Sequence, residues 1–302
     1  MAMISVNMAV HNTERYVAEA VNSILSQSCA DFEFIIIDDG STDGSRRILQ
    51  DFAQRDTRIR LVCHEKQGLN LVRNEALRLS TGEFVAVIDS DDIALPQRLE
   101  KQIAYMQAHP ECVAVGTGVL LIDADGDPIK ELSLKADHED IDAVHLEGCC
   151  GAMSHTSTIF RRNAILAAGG YAEDLPAAHD YDLYLRLAEI GRLYNLPDVL
   201  MKYRHHLSSV GYATRVQQLT CAGLAFSRAC QRRGLTNPDV VPGFTRWIRN
   251  PLRPAIEFRT WGWWALSGGN VSTARKYAWK TLLRQPHRFE SWRLGYCALR
   301  GH

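Results

Sequence analysis

The sequence predicts an α/β protein with a mostly parallel central sheet and a helical C-terminal extension. Short apolar runs alternate with amphipathic segments over the first hundred residues, the β-α-β rhythm of a parallel sheet with right-handed crossovers. Acidic clusters follow two of these runs, at 38–39 and 89–92. From residue 243 onward there are eleven Lys or Arg against two acidic residues, together with all six Trp. So abrupt a change indicates a second structural unit.

The first half of the chain is predicted to form four strands separated by helices. Apolar runs place the strands at 4–10, 34–37, 59–63 and 84–88. Apolar spacing places the intervening helices around 17–25, 48–52 and 69–79. Asn12 or Thr13 is expected to cap the first helix, and Pro96 to lie in the first turn of the helix after the fourth strand.

After Cys112 the pattern becomes α+β and then helical. Strands are predicted at 113–122, 129–134, 156–160 and 199–204, and helices near 138–146, 162 and 180. From about residue 210 the pattern is helical, with amphipathic segments at 253–266, 271–283 and 288–299.

Composition and cysteine usage limit the class of protein. With 46% hydrophobic and 23% charged residues and a net charge of -1, the chain predicts a globular protein without polyelectrolyte character. The eight cysteines form no CxxC pair, so free thiols in a reducing cytoplasm are expected. The first ten residues lack the basic start of a signal peptide, and no apolar run reaches the roughly 18 residues of a membrane span.

Two interpretations of the basic, Trp-rich segment 243–302 stay open. It is either a helical cap that packs its Trp side chains inward, or a peripheral contact with a membrane surface, where Trp and Arg are favoured. Nucleic acid is not an expected partner, because this positive charge lies outside the domain that carries the acidic clusters.

The acidic cluster after the fourth strand predicts a cation site. In an extended chain residues i and i+2 point the same way, so Asp89 and Asp91 are expected to converge. Oxygen ligands favour Mg²⁺ or Mn²⁺, and such ions are usually held by one or two carboxylates plus substrate phosphates. A phosphorylated substrate is therefore expected. The simpler alternative is that these acids only favour the N-terminus of the next helix through its dipole. Fewer than three acidic residues would be enough for that role.

The earlier cluster, Asp38-Asp39, is either a turn with a helix cap or a ligand site at the same sheet edge. In the second case a carboxylate would accept hydrogen bonds from a base or a ribose hydroxyl. The chain has no GxGxxG and no GK[ST] motif, which are the signatures of Rossmann dehydrogenases and of P-loop ATPases, so both classes are disfavoured.

Four ordered motifs resemble the family 2 glycosyltransferases with the GT-A fold. They lie at residues 6–12, 37–43, 67–74 and 88–92, and the resemblance covers about 1–210. It implies a nucleotide-sugar donor, Mn²⁺ or Mg²⁺, and inversion at the anomeric carbon. It also implies a nucleotide-sugar half at about 1–110, an acceptor half at about 111–210, and a helical region, 211–302, outside the core pattern.

The family's functional residues carry over position by position. The nucleotide-sugar would contact Ala9, Val10, His11, Asp39, Gly68, Arg73, Asp89, Ser90 and Asp91. Among these, Asp39 would bind the base and Arg73 the base or the diphosphate. The metal would be held by Asp91, Asp92 and His206.

The resemblance also implies a catalytic base. Family members carry Glu-Asp at the start of a later helix, and here the matching pair is His179-Asp180. Asp180 would therefore remove the proton from the acceptor. A protonated His179 beside it would favour the ionised carboxylate. His155 and His179 are expected on the acceptor or diphosphate side of the site.

The resemblance therefore implies an inverting, metal-dependent glycosyltransferase of bacterial surface polysaccharide synthesis. The expected donor is a UDP-sugar, and the expected acceptor is a hydroxyl of a glycan or of a lipid-linked molecule. The expected location is the cytoplasm, at the inner face of the membrane. An oligomer is compatible with the sequence. One alternative is a nucleotidyltransferase, which is expected to hold a triphosphate with a Gly-rich basic loop after the first strand. Residues 9–14 at that place are instead Ala-Val-His-Asn-Thr-Glu, which disfavours this alternative. A second alternative is an inactive nucleotide-binding scaffold, which the intact acids disfavour.

Overall fold

A nine-stranded sheet forms the centre of this computed structural model, which describes residues 3–132, 134–207, 215–236 and 254–302. The strands are β1 (Ile4–Val10), β2 (Phe32–Asp39), β3 (Ile59–His64), β4 (Phe84–Val87), β5 (Ile93–Ala94), β6 (Cys112–Asp123), β7 (Pro128–Leu132), β8 (Ile159–Arg161) and β9 (Arg192–His205). Their order is β3-β2-β1-β4-β8-β6-β9-β5, and β7 pairs with β6.

Helices cover the sheet and extend beyond it. They are α1 (Val17–Leu25), α2 (Ser45–Arg55), α3 (Leu69–Leu79), α4 (Arg98–Ala108), α5 (His138–Leu146), α6 (Arg162–Ala167), α7 (His179–Leu187), α8 (Arg215–Arg233), α9 (Pro254–Ser267), α10 (Val271–Arg284) and α11 (Phe289–Arg300). Among the described helices, none is long and apolar enough to cross a membrane. The predicted α/β architecture with a helical extension is confirmed.

The first four strands run parallel because helices connect them, and the three inner ones, β1, β2 and β4, are buried on both faces. Along β2, Phe34 and Ile36 pack in the same core as α1, whereas Ile35 and Ile37 pack with α3 on the opposite face. All four side chains are fully buried. Since β1, β2 and β4 run in one direction, their carboxyl ends meet at one edge. That edge carries His11 and both acidic clusters.

Several local predictions were wrong. Tyr16, and not Asn12 or Thr13, precedes the first residue of α1, and the Asn12 side chain instead accepts the N–H of Thr42. Pro96 lies before α4, whose first residue is Arg98. In the predicted strand at 156–160, residues His155–Ser157 form a 3₁₀ turn.

The last core strand is longer than its sequence suggests. It begins at Arg192, whereas the pattern predicted a start at residue 199. Polar Asn195 is buried within it because its amide donates to the carbonyls of Lys135 and Ala152. The pairing with β6 shifts register opposite Pro197, and this irregularity hides the strand from a search for regular alternation.

The C-terminal helices pack against the β6–β7 hairpin. Trp261 of α9 is 2% exposed and shares the main core with β1 and β6, while Gly268 lies against the backbone of Ile129. Other Trp side chains do not pack inward, since Trp279 and Trp292 are 63% and 60% exposed. Trp247 lies outside the described residues. The inward-packing interpretation therefore holds for Trp261 but not for Trp279 or Trp292.

A triad of carboxylates holds this extension through one lysine, Lys276 of α10. Its Nζ donates to Asp123 at 2.6 Å and to Asp125 and Asp127 at 2.7 Å each. Asp123 is fully buried and also accepts a hydrogen bond from the hydroxyl of Tyr277. Burial alone would raise the pKa of Asp123, but its hydrogen bonds, led by that from Lys276, hold it below the ordinary value.

Replacing Lys276 by Met is expected to lower the free energy of unfolding by about 2 kcal/mol. The buried Asp123 carboxylate would lose its cation, and the cost falls below that of a fully buried pair because Lys276 is 23% exposed. Urea denaturation measures the change. The matched control is Lys135→Met, whose pair with Asp140 is 59% and 61% exposed, so that the loss stays below about 1 kcal/mol. Equal losses in the two variants would contradict the prediction.

Candidate active site

Arg73 occupies the centre of the candidate site. Its side chain is 8% exposed and extends from α3 towards the end of β4. One terminal nitrogen donates to the Asp89 carboxylate at 2.6 Å, and the other donates to Nε2 of His179. The guanidinium also lies 5.7 Å from the centroid of the Tyr171 ring. Through Arg73, the turn after β4 and the start of α7 meet at the same sheet edge.

His179 is neutral in this arrangement. Burial lowers the pKa of His179 well below its ordinary value, and the positive charge of Arg73 lowers it further. The expectation that a protonated His179 favours the ionised form of its neighbour is therefore wrong. Arg73 supplies the positive charge instead, while His179 accepts its hydrogen bond.

Asp180 lies in the first turn of α7, two residues after Ala178, which has a left-handed backbone with φ of 52°. Its Oδ1 accepts the backbone N–H of Tyr181. Burial raises the pKa of Asp180, and this effect outweighs the lowering by that hydrogen bond and by Arg73. A carboxylate that is partly exposed and has a raised pKa suits proton abstraction.

A second buried histidine, His155, is in ring contact with His179. It is 7% exposed, with 5.7 Å between the two ring centroids. Its Nε2 is hydrogen-bonded to the Tyr171 hydroxyl at 3.1 Å, and burial lowers its pKa well below the ordinary value. Of the two candidates for the acceptor or diphosphate side, His179 is thus the one in direct contact with Arg73.

The turn after β4 directs its three carboxylates to different partners. Asp89 faces Arg73, and Asp91 Oδ2 accepts a hydrogen bond from Nε2 of His206 at 2.9 Å. Asp92 Oδ1 accepts the backbone N–H of Arg204. Since the Asp92 N–H donates to the Asp89 carbonyl, the chain turns here and is not extended. The predicted convergence of Asp89 and Asp91 on a single partner is absent from these contacts.

Asp92 faces the protein interior. It is fully buried, and its Oδ2 has no hydrogen-bond partner among the described residues. Burial and the neighbouring charge of Asp91 raise the pKa of Asp92 well above the ordinary value. The fully buried Arg98 supplies a compensating positive charge, donates to the Val87 carbonyl at 2.8 Å, and has its own pKa lowered by burial to about 9.

Arg204 holds this turn from the other side. Its side chain is 3% exposed, and Nε donates to the Asp91 carbonyl at 2.8 Å. A terminal nitrogen donates to the Glu19 carboxylate at 2.7 Å, and the guanidinium lies 4.7 Å from the centroid of the Tyr16 ring. His206, two residues later, packs its ring 5.3 Å from the same Tyr16. One short segment therefore positions both Asp91 and its histidine partner.

The donor set at Asp91 is compatible with a divalent cation. Asp91 and His206 place an oxygen and a nitrogen 2.9 Å apart, with side chains 21% and 13% exposed. Within the described residues, no group of three or more His, Cys, Asp or Glu side chains is arranged to hold a metal ion. Mg²⁺-like ions are commonly held by one or two protein ligands with substrate phosphates and water, so two protein ligands suffice.

A second set of predicted residues lies at the ends of β1 and β2. His11 donates from Nδ1 to the Asp39 carbonyl at 2.8 Å, and its Nε2 accepts from Nζ of Lys66 at 2.7 Å. The Asp39 carboxylate is buried and accepts the N–H groups of Gln67 and Gly68. Asp39 therefore anchors the loop that begins α3, close to His11.

The remaining predicted residues border the same edge. Ala9 lines a small cleft together with Arg73 and Tyr171. Val10 is 1% exposed, so only its backbone could reach a ligand. Ser90 is buried, and its Oγ accepts a hydrogen bond from the Thr13 hydroxyl at 3.1 Å.

Three residues with central contacts were not predicted as site residues: Lys66, Tyr171 and Arg204. Arg204 lies two positions before His206, and Tyr171 is a short loop away from Asp180, so proximity along the chain was the available signal. Lys66 adjoins the Gln67-Gly68 motif in the same way.

Comparison with known sequences identifies what this chain is similar to. Residues 5–164 match the family model described as glycosyl transferase family 2. The O-antigen biosynthesis glycosyltransferase WbnJ of Escherichia coli is 33% identical over 239 residues, which is 78% of this chain and 92% of WbnJ.

Two solved structures share the fold. S. aureus TarS 1–349 in complex with UDP-GlcNAc aligns with a TM-score of 0.60 at 17% identity, covering 98% of this chain and 79% of that one. The mannosyltransferase PcManGT from Pyrobaculum calidifontis, in complex with GDP-Man and Mn²⁺, gives 0.58 at 21% identity, with 99% and 85% covered. The predicted GT-A fold is confirmed by these likenesses.

Replacing Gly68 by Ala is expected to lower the free energy of unfolding by about 1–3 kcal/mol. Gly68 has φ of 116°, a conformation that other residues avoid, although a Cβ there would meet no atom within 4 Å. The matched control is Gly151→Ala, which also has open space but no positive φ. Thermal or urea denaturation compares the two, and equal stabilities would contradict the prediction.

Proposed function

The chain belongs to glycosyltransferase family 2, and we propose on this basis that it transfers a sugar from a nucleotide-sugar donor to an acceptor hydroxyl with inversion at the anomeric carbon. One observation carries the proposal. Arg73 joins the Asp89 carboxylate to His179 at the start of the helix that bears Asp180, which supports a common site for the acids of the sheet edge and the candidate base.

Asp180 is the proposed general base. It accepts the proton of the acceptor hydroxyl while that oxygen attacks the anomeric carbon from the face opposite the diphosphate. The bond from the anomeric carbon to the diphosphate oxygen breaks, and the nucleoside diphosphate leaves with its electron pair. A single displacement needs no nucleophilic side chain. Arg73 provides the positive charge nearest to this step, since its charge lowers the pKa of both Asp89 and Asp180.

Asp91 and His206 are the proposed ligands of a divalent cation, Mn²⁺ or Mg²⁺. When bound, such an ion supplies positive charge that stabilises the leaving diphosphate. PcManGT, with the same fold, holds Mn²⁺. Asp92, which the sequence had also suggested as a ligand, is proposed instead to support the turn, because its carboxylate is fully buried and bonded to the backbone of Arg204.

The nucleotide is proposed to bind between the ends of β1 and β2 and the start of α3. His11 presents a ring that can stack on a base, while the predicted hydrogen bond from the base to Asp39 must compete with the two backbone amides that this carboxylate already accepts. Arg73 and Asp89 lie further along the same edge, where the diphosphate and ribose would follow. A UDP-sugar is the proposed donor, as in the TarS complex.

The acceptor is proposed to be a glycan or a lipid-linked sugar used in bacterial surface polysaccharide synthesis at the inner face of the membrane. WbnJ, a relative that this chain covers almost completely, acts in O-antigen biosynthesis. The division of the chain into a donor half (1–110), an acceptor half (111–210) and a helical region (211–302) is part of the same proposal. His179 of the proposed acceptor half contacts Arg73 of the proposed donor half, and His155 lies next to His179.

The proposal is tested by incubating the full chain with a panel of UDP- and GDP-sugars and Mn²⁺ or Mg²⁺. We expect at least one donor to be hydrolysed or transferred and its nucleotide to raise the melting temperature. Asp180→Asn is expected to lower kcat by about 10²–10⁴-fold without weakening nucleotide binding. Asp174→Asn, an exposed acid paired with Arg228 near α7, is the matched control. If no donor reacts and no nucleotide stabilises the protein, the proposal is wrong.

The rate is expected to fall at acid pH with a midpoint above the ordinary aspartate value of 3.8, because burial raises the pKa of Asp180. The ionised carboxylate is the active form, so kcat/KM rises as pH increases through this raised pKa and then levels off. The pH profile of the wild type measures the midpoint. The residual activity of Asp180→Asn should lack this acid limb, and a limb unchanged in that variant would contradict the assignment.

A further inference from the structure

The helical hairpin formed by α10 and α11 carries a concentration of exposed apolar side chains. Six of the fourteen large apolar side chains that are exposed in the described part of the chain lie here, within 21 residues. We call them the outer aromatic face: Trp279, Leu283, Phe289, Trp292, Tyr296 and Leu299. Their exposed fractions run from 60% to 76%. A monomeric globular protein rarely leaves such a group in water.

The outer aromatic face is separate from the surface that packs on the core. Along α11, Phe289, Trp292 and Tyr296 follow the three- and four-residue spacing of one helix side. Leu294 and Ala298, on another side, are buried against α9 and α10. Leu294 and Ala298 therefore supply the packing of α11 on the core, whereas most of the surface of the outer aromatic face remains exposed.

The same hairpin is strongly basic. Residues 271–302 contain seven Lys or Arg and one acidic residue, Glu290. Lys276 is neutralised by its three aspartates, whereas the other six basic residues form no ion pair within the described part of the chain. Arg300 instead donates to the Tyr296 hydroxyl, and Arg293 lies 5.6 Å from the centroid of the Trp263 ring.

The exposed aromatic residues and the positive charge together indicate an anionic membrane surface as the partner. Trp and Tyr are favoured at the boundary between headgroups and acyl chains, and Arg beside them attracts anionic headgroups. A second copy of this chain would oppose like charges across the face. No described helix can span a bilayer, so the contact would lie on the surface.

We propose that the outer aromatic face of α10 and α11 binds the surface of a bilayer that contains anionic phospholipid. Phe289 and Trp292 insert at the headgroup level, and Arg288 and Arg293 contact the lipid phosphates. The proposal deepens the suggested use of a lipid-linked acceptor, but its test measures binding without turnover. A failure of the transferase proposal would therefore leave this result interpretable.

The experiment is co-sedimentation of the full chain with vesicles of phosphatidylcholine alone or mixed with phosphatidylglycerol. We expect binding to the mixed vesicles that weakens as salt rises, and little binding to phosphatidylcholine alone. The double variant Phe289→Ser/Trp292→Ser should bind at least about tenfold more weakly. The matched control, Leu166→Ser/Ile190→Ser, removes two exposed apolar side chains from the core domain and should bind as the wild type does.

A charge variant, Arg288→Gln/Arg293→Gln, should lose binding to anionic vesicles while keeping the wild-type melting temperature. Gel filtration of each variant reports its oligomeric state. The proposal is overturned if the wild type does not bind mixed vesicles, if it binds both vesicle types equally, or if the Ser double variant binds as the control does. It is also overturned if the wild type is a dimer that the Ser double variant dissociates, since a second copy would then cover this face.

Discussion

The acidic turn after β4 depends on one buried cation, Arg204. Its guanidinium and backbone contact the Asp91 carbonyl, the Asp92 carboxylate and Glu19 of α1, although more than a hundred residues separate it from the turn. Without this guanidinium the turn would lose its links to α1 and β6, whereas the N–H that Asp92 accepts belongs to the backbone of Arg204. Unpaired buried charge is costly, so the geometry of the turn follows from this arginine as much as from the turn's own sequence.

In the candidate site, buried arginine side chains lie close to aspartate side chains. Three arginines, Arg73, Arg98 and Arg204, border the aspartates from different sides, while His155 and His179 stay neutral because of burial and the nearby arginines. Burial raises the pKa of both Asp89 and Asp180, and this effect outweighs the lowering by Arg73. A diphosphate arriving at this edge would meet arginine side chains already held in place, which reduces the reorganisation needed for binding.

The fold of the first hundred residues could be predicted because its causes are local. Five-residue apolar runs make buried strands, and parallel strands bring their carboxyl ends together, so the meeting of His11, Asp39 and Asp89 at one edge followed from the pattern. The residues that contact these three side chains could not be predicted from the pattern. Lys66, Tyr171 and Arg204 reach the site through tertiary packing. A turn between Asp89 and Asp92 replaces the extended chain that the pattern predicted. The start of β9 was hidden by a register shift at Pro197.

The lysine held by three aspartates has a consequence for experiments with chelators. The turn at 123–127 gathers carboxylates in the way that a calcium loop does, but here a covalently attached ammonium, Lys276, provides the counter-charge. Removing free divalent ions therefore leaves this turn and the packing of the helical extension unchanged. A loss of activity in a chelating buffer would therefore not arise from this turn.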